Sequence, residues 1–398
     1  MSEDEASSPP AVDSPLVPLA GSNRESAAVV AAAGVEPLGD TEIEATVVLR
    51  RKSGAPAFDP SVRLGREDFA LQMGADAADV GLVSATLGGL GIRIVSSDLP
   101  SRRMRIAGPA SVLERAFGTH LESVTTRTSD GAEVTHRNRT GVLMVPAALE
   151  GIVTAVLGLD DRPQSRTRFR IAEAKAVAVS YTPLDLAGIY RFPRRYDGSG
   201  QTIAIIELGG GYDAAELDTY FASLGITGPT VTAVGVDGAK NVPGGDASGA
   251  DGEVLLDIEV DIEVAGALSP GAKIVVYFAP NTDAGFVDAV SEATHASVTP
   301  TAISISWGQV EDAWTAQARN ALDEAFVDAA VLGITVTAAA GDNGSSDGAK
   351  DGRDHGTSRR PAPTCWPAAA PACGRHRARS PRRRCGTTAS EPERPGAA

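Results

Sequence analysis

The segment QTIAIIE at residues 201–207 decides the fold of the chain, because it is a mostly apolar run that ends in an acid, Glu207. Apolar runs of this length are typical of strands that are covered on both faces in a parallel sheet. Outward from it, similar strands are predicted at 273–278, 302–307 and 334–340. Helical patterns separate these strands, at 254–267, 286–296 and 315–332. This alternation predicts an α/β domain from Tyr181 onward, with a parallel sheet and flanking helices.

Residues 41–160 follow a different pattern, in which short strands and short helices are mixed. Strands are predicted at 43–49, 92–95, 104–106 and 121–126. Helices are predicted at 76–90, 110–117 and 147–157. The mixture predicts a separate α+β domain in which an antiparallel sheet packs against helices.

Three further segments lie outside these two domains. Residues 1–40 are rich in Ser, Pro, Ala and Glu, and are predicted to be disordered. Residues 161–180 form a polar linker, and exposed linkers are preferred sites of proteolytic nicking. Residues 356–398 form a tail with nine arginines and two acids, a composition that the rest of the chain does not share.

The composition and charge argue against several classes of function. The net charge is -15, which disfavours nucleic acid as a partner. No run of 18 apolar residues is present, so no membrane-spanning segment is predicted. The acidic N-terminus does not match a secretory signal. All three cysteines, Cys365, Cys373 and Cys385, lie in the tail, so neither a disulfide framework nor a metal cluster is expected in the two domains.

Two carboxylic acids, Glu253 and Asp257, stand four residues apart at the start of a predicted helix. Residues at this spacing share one face of a helix, and the neighbours of the pair are apolar. Two carboxyls in an apolar setting raise one pKa, so that one acid can stay protonated or act as a general base. By itself the spacing also fits two solvated acids on a helix surface.

Several other motifs occur in a fixed order along the chain. They are PAALEGIV at 146–153, SYTP at 180–183, IAIIELGGG at 203–211, DGE at 251–253, YFAPNTD at 277–283, SISWG at 304–308 and GDNGSSDG at 341–348. Together they closely resemble the sedolisin, or serine-carboxyl peptidase, family, and especially its kumamolisin-like members. The resemblance runs from about Thr41 to His355.

The resemblance implies a subtilisin-like catalytic domain preceded by a propeptide, with a Ser-Glu-Asp triad. It implies that Glu253 is the general base beside the nucleophile, and that Asp257 orients and tunes that base. Asp342 matches the family's oxyanion-hole acid, whose protonated carboxyl can donate to a tetrahedral intermediate and so explains activity at low pH. Glu207 and Trp307 match residues that extend the hydrogen-bond network of the triad.

The resemblance also implies the partners of the chain. These are a protein or peptide substrate, its own propeptide, and a calcium ion bound near the C-terminus of the family's catalytic domain. A monomer is expected, and the family implies an extracellular location, although no signal peptide is recognisable.

A tandem repeat complicates the acid pair, since DIEV at 257–260 recurs at 261–264, whereas the family has one copy. Counted from the N-terminal side, the pair is Glu253 and Asp257. Counted from the C-terminal side, it is Asp257 and Asp261. Four extra residues advance a helix by about 1.1 turns, a net rotation of roughly 40°, so all three acids share one face. We favour Glu253 and Asp257, because only that pair keeps the glutamate.

The resemblance stops after His355. Reading the tail with a one-base shift of frame gives strings similar to sedolisin sequence, so we interpret residues 356–398 as an out-of-frame product. On this interpretation, residues 181–355 are the N-terminal part of a catalytic domain, and the nucleophile serine and the calcium site are absent. Ser358 of the Gly-Thr-Ser tripeptide at 356–358 is interpreted as a chance match, because it follows Asp342 by only 16 residues.

The sequence therefore predicts a serine-type endopeptidase zymogen that acts at acid pH by family resemblance and is inactive as written. The alternative prediction is a non-enzymatic remnant whose propeptide domain binds or inhibits an intact homologue.

Overall fold

The computed structural model describes most of both predicted domains. The described residues are 15–27, 30, 35–57, 59, 61–127, 133–167, 181–193, 195–244, 250–341, 346, 353 and 365–368.

Residues 15–167 form the N-terminal domain. Its strands are β1 (Leu16–Pro18), β2 (Val35–Pro37), β3 (Glu42–Leu49), β4 (Arg93–Asp98), β5 (Arg103–Pro109), β6 (Glu122–Arg127), β7 (Glu133–Asn138), β8 (Met144–Pro146), β9 (Val153–Leu157) and β10 (Arg166–Thr167). Its α-helices are α1 (Arg66–Met73), α2 (Ala77–Gly89) and α3 (Ala110–Phe117).

The centre of the N-terminal domain is an antiparallel sheet in the order β4-β5-β3-β9. Helices α2 and α3 cover one face of it and bury apolar side chains such as Val83, Leu87 and Leu113 against Met104 and Ile106. Strands β2, β6 and β7 form a second antiparallel sheet. This arrangement confirms the predicted α+β organisation.

The described residues between 181 and 368 form the C-terminal domain. Its α-helices are α4 (Pro183–Ile189), α5 (Ala214–Ser223), α6 (Ala250–Leu268), α7 (Asp283–Thr294) and α8 (Ala316–Val331). Its strands are β11 (Thr202–Glu207), β12 (Thr230–Gly235), β13 (Lys273–Phe278), β14 (Ala302–Ile305), β15 (Trp307–Gly308), β16 (Thr335–Ala339) and β17 (Cys365–Ala368).

Strands of the C-terminal domain form a parallel sheet in the order β12-β13-β11-β14-β16-β17. β11 lies in the middle, and Ala204, Ile205 and Ile206 are fully buried. Helices α5 and α6 contribute to one apolar cluster on the sheet, and α7 and α8 to another. The structure thus confirms the predicted α/β fold. Because the strands are parallel, their carboxyl ends meet at one edge, where ligands bind in such folds.

The two domains share a continuous apolar core. Val48, Ala155 and Leu157 of the central antiparallel sheet pack in the same buried cluster as residues of α7 and α8 such as Phe286 and Phe326. The face of the antiparallel sheet that α2 and α3 do not cover is therefore buried by α7 and α8 of the C-terminal domain.

Two buried aspartates on these helices bind arginines of the N-terminal domain. Asp328 of α8 lies 2.6 Å from Arg51 Nη2 and 2.9 Å from Arg102 Nη1. Asp288 of α7 lies 2.9 Å from Arg103 Nη1 and accepts from the hydroxyl of Thr46 at 2.5 Å. The polar part of this interface thus depends on two carboxylates that must be ionised to attract the guanidinium groups.

An extended N-terminal segment, residues 15–24, also contacts both domains. β1 pairs with β8, and the Gly21 carbonyl accepts from the backbone N–H of Gln317 at 2.9 Å. Gly21 has φ +73°, and a Cβ there would lie 3.1 Å from the Ala316 side chain, so the close approach to the start of α8 favours glycine.

Two predictions for the N-terminal half are wrong. Residues 15–27 are structured rather than disordered, because β1 finds a partner strand and Leu19 and Arg24 are buried. The predicted helix 147–157 is instead a short 3-10 turn, Ala147–Leu149, followed by β9, which pairs with β3. The residues 1–14 of the predicted disordered segment lie outside the described part.

Candidate active site

The carboxyl ends of the neighbouring strands β11 and β14 bring two predicted site residues together. Glu207 is the last residue of β11 and is fully buried. Trp307 follows β14 and donates its indole Nε1–H to Glu207 Oε2 at 2.8 Å. A buried carboxylate requires hydrogen-bond donors, so this contact links the ends of the two strands.

The residue before Trp307 connects the same place to helix α6. Ser306 donates its hydroxyl to Asp261 Oδ2 at 2.6 Å. Burial raises the pKa of Asp261, and the bond from Ser306 opposes that rise. Ser306 was not singled out from the sequence, although its place between a strand end and Trp307 is a usable signal.

The other predicted catalytic acids are less fully described. Glu253 and Asp257 both lie in α6, four residues apart as predicted, and their side chains lie outside the described part. Asp342 and Ser358 also fall outside the described residues. The predicted pairing of Glu253 with Asp257 therefore stays a prediction.

The predicted linker enters this site as a strand. Residues Arg166 and Thr167 of β10 pair antiparallel with Gly308 and Trp307 of β15. Just before them, Asn281 binds the backbone of the linker: its Oδ1 accepts from the N–H of Ser165 at 2.8 Å, and its Nδ2 donates to the Ser165 carbonyl at 2.7 Å. An extended segment is thus held along the edge that carries Trp307.

This arrangement can bind an extended peptide and move a proton beside it. Backbone pairing with β15 is the way an exposed edge strand binds an extended chain without regard to its side chains. The acids on α6 and the Glu207 carboxyl supply groups that can hold or accept a proton close to that edge.

No metal site accompanies these acids in the part of the chain that the structure describes. There, no group of three or more His, Cys, Asp or Glu side chains could bind a metal ion. The calcium ion therefore stays an expectation from the resemblance. Across the same residues, no helix is both long and apolar enough to cross a membrane.

Comparison with known proteins identifies relatives of the chain. Kumamolisin from Bacillus sp. (strain MN-32) is 45% identical over 361 residues, which cover 84% of this chain and 62% of kumamolisin. Tripeptidyl-peptidase sed5 from Aspergillus fumigatus is 26% identical over 368 residues, which cover 81% of this chain and 60% of that protein. No protein-family profile matches the chain.

One solved structure of the same group also matches. It is Pseudomonas sedolisin, a serine-carboxyl proteinase complexed with two molecules of pseudo-iodotyrostatin, at 20% identity and a TM-score of 0.41. The match covers 48% of this chain and 54% of that structure.

The extent of identity to kumamolisin defines the class: the chain is a homologue of serine-carboxyl peptidases. Kumamolisin is a member of the sedolisin family, and the chain is similar to it over 84% of its own residues. The chain spans about three fifths of the length of the two curated relatives.

We predict that Trp307→Phe destabilises the protein by about 1–3 kcal/mol more than Trp314→Phe, because it leaves the buried Glu207 carboxylate without one donor. Trp314 is the matched control, since it is also buried and its Nε1 has no acceptor among the described residues. Urea unfolding at neutral pH measures both changes. Equal losses for the two variants would show that the indole N–H contributes nothing.

Proposed function

We propose that the chain is the zymogen of a serine-type endopeptidase of the kind that acts at acid pH, that it is inactive as written, and that its N-terminal domain is the propeptide. Its boundaries are proposed as in the sequence: residues 41–160 for the propeptide, 161–180 for the linker and 181–355 for the catalytic part. The observation that carries the proposal is the pairing of linker residues Arg166 and Thr167 with Gly308 and Trp307, next to the buried Glu207 at the end of β11.

The proposed chemistry follows from the groups at that edge. A carboxylate on α6 takes the proton of a serine hydroxyl as it attacks the peptide carbonyl, and a second acid one turn away orients and tunes it. The protonated carboxyl of Asp342 donates to the oxygen of the tetrahedral intermediate. This last step requires a neutral acid, which accounts for activity at low pH.

The backbone pairing supports an autoinhibited state. A segment that occupies the edge of β15 excludes a substrate peptide from the same hydrogen-bonding groups. Asn281 holds the start of that segment by its main chain, so the blockade does not depend on the linker's side chains. Cleavage within the linker is therefore proposed as the step that opens the edge.

We predict that the chain as written gives no serine-dependent turnover, and that Ser358→Ala changes nothing, because Ser358 is a chance match. The locus read in the frame that continues the family sequence after codon 355 is predicted to encode a protein that hydrolyses peptides at acid pH. Pepstatin should not inhibit it, and Asp257→Asn should abolish it, since Asp257 belongs to either acid pair.

An oligopeptide cleavage assay from pH 3 to pH 7, together with resequencing around codon 356, tests this prediction. Turnover by the chain as written that is lost in Ser358→Ala would overturn the assignment of Ser358. A restored-frame protein that cleaves equally well with Asp257→Asn would contradict the proposed acid pair.

Acid is proposed to weaken the docking of the N-terminal domain through Asp328. Burial alone raises the pKa of this carboxyl, but the guanidinium of Arg102, the nearby imidazole of His295 and the guanidinium of Arg51 together hold it below its usual value. A lowered folded-state pKa means that the stabilisation is present above the unfolded pKa and is lost as the pH falls through the folded value.

We therefore predict that Asp328→Asn lowers the free energy of unfolding at pH 7 by about 3–5 kcal/mol, the usual cost of breaking a buried ion pair. The variant should also lose part of the wild-type decline in stability below about pH 4, the usual pKa of an aspartate in an unfolded chain. The control is Glu133→Gln, which removes an exposed pair with Arg127 and should cost less than about 1 kcal/mol. Urea unfolding between pH 2 and pH 7 measures both, and an unchanged acid limb in Asp328→Asn would contradict the proposal.

The same interface favours the second candidate function, a remnant whose N-terminal domain binds an intact homologue. Arg51, Arg102 and Arg103 form an arginine surface that fits two aspartates on helices of a catalytic domain. Adding the chain to an active homologue should then lower its rate, and the triple variant with alanine at the three arginines should not. No change of rate on adding the wild-type chain would exclude this function.

A further inference from the structure

We propose that Asp261 is the acid seated against the strand ends, so that Asp257 and Asp261 form the acid pair of this site and Glu253 lies one helical turn beyond it. This assignment reverses the preference drawn from the sequence. It rests on the proposed function only for the chemistry of the pair, because the placement of Asp261 is structural.

The first argument is that both copies of the repeat lie within one continuous helix. α6 runs from Ala250 to Leu268 through both DIEV copies. A helix that gains four residues must displace one flank relative to the other by about 6 Å along its axis. The flank that is held by packing keeps its place, and the other flank carries the shift.

The second argument is that packing holds the C-terminal flank. Ile258 and Ile262 are fully buried in the apolar cluster beneath the sheet. Gly266 lies so close to the partner elements that a Cβ there would lie 2.6 Å from the Phe221 ring and 2.9 Å from Pro229. Such a close approach fixes both the depth and the rotation of α6 after the repeat.

The third argument is the contact that Asp261 makes. Its carboxylate accepts from Ser306, and the next residue, Trp307, donates to Glu207. Of the three acids on this face of α6, Asp261 is the one whose side chain is described, and it is joined to the strand-end network.

The direction of α6 then determines how far each of the three acids lies from the carboxyl edge of the sheet. The helix connects the parallel strands β12 and β13, so it runs back against the strand direction, and its N-terminus points beyond the carboxyl edge of the sheet. Asp257 therefore lies about 6 Å farther out than Asp261, and Glu253 about 12 Å farther out. The base position next to the seated acid is taken by Asp257, whose side chain is one methylene shorter than that of the family's glutamate.

The test measures the titration of Asp261 in the chain as written. A raised folded-state pKa makes stability fall as the pH rises from the unfolded to the folded value, so the slope of stability against pH between pH 4 and pH 7 reports the group. Other ionisable groups on α6 are Asp251, Glu253, Asp257, Glu259 and Glu263, and those on the elements packed around it include Glu207 on β11, Arg166 on β10, Asp185 on α4, and Glu216 and Asp218 on α5. Each variant is therefore compared with wild type and with Asp218→Asn, an exposed aspartate on α5.

Asp261→Asn is expected to remove this component of the slope, because asparagine can still accept from Ser306 but does not titrate. Asp257→Asn is expected to keep the component and move its midpoint to lower pH by about one unit, because it removes a neighbouring like charge. Glu253→Gln is expected to leave the midpoint in place. A slope unchanged by Asp261→Asn, or a shift by Glu253→Gln as large as that by Asp257→Asn, would overturn the proposal.

Ser306→Ala gives a second measurement if Asp261→Asn does not fold. Loss of the hydroxyl removes the bond that favours the ionised carboxyl, so the midpoint should move to higher pH. An unmoved midpoint would overturn the seating of Asp261.

Deleting one DIEV copy gives the matched control, and the product is the same polypeptide whichever copy is removed. In that variant Glu253 stands four residues before the remaining aspartate, so Glu253→Gln should now shift the midpoint as Asp257→Asn does in the full chain. If Glu253→Gln leaves the midpoint unchanged in the single-copy variant, the acid four residues before the seated aspartate is not its partner. None of these measurements needs peptide hydrolysis, so a failure of the peptidase proposal would not be mistaken for a failure here.

Discussion

The hydrogen bond from Trp307 to Glu207 is the contact on which the rest of the site depends. Glu207 is buried at the end of the central strand, and the donor comes from the chain just past the end of its neighbour. The register of β11 with β14 therefore positions the indole, the Ser306 hydroxyl and the edge of β15 together. A slip of one residue would turn alternate side chains to the other face and separate all three contacts.

The interface between the two domains combines contacts that respond differently to acid. Its apolar part, from Val48 to Phe326, does not titrate. Its charged part includes Asp328, whose pKa, despite burial, is held below its usual value by the neighbouring arginines, and which attracts them only when it is ionised. Acid can consequently loosen the attachment of one domain while the hydrophobic core within each domain is retained. The proposed release of the N-terminal domain requires such a division, because that domain has to leave while the C-terminal domain stays folded.

Much of the fold could be predicted because β11 and β13 are largely apolar, a pattern that depends little on distant residues, whereas β12, with two threonines and mostly exposed side chains, was not predicted. The N-terminal errors have the opposite origin. The run 153–157 is rich in valine, and its pairing with β3 outweighed the helical spacing. β1 is too short to show any period, and its order comes from β8, more than 120 residues away along the chain.

Prediction from the sequence meets the same limit at the candidate site. Glu207 and Trp307 could be found from strand ends and from resemblance. The choice among Glu253, Asp257 and Asp261 could not, because the three acids recur every four residues and therefore share one face of the helix. Only tertiary contacts, the close packing at Gly266 and the hydroxyl of Ser306, distinguish one turn of the helix from the next.

The N-terminal segment has a consequence for how the chain is made. Gly21 binds the start of α8 at Gln317, a residue that leaves the ribosome long after it. At the usual 5–20 residues per second, the intervening stretch takes roughly 15–60 s to synthesise. During that interval, the segment can pair with β8 once β8 has been made, but α8, which it contacts in the folded protein, does not yet exist. Residues 15–24 are thus among the last to reach their final surroundings, and a nascent chain exposes them to proteases and chaperones during that interval.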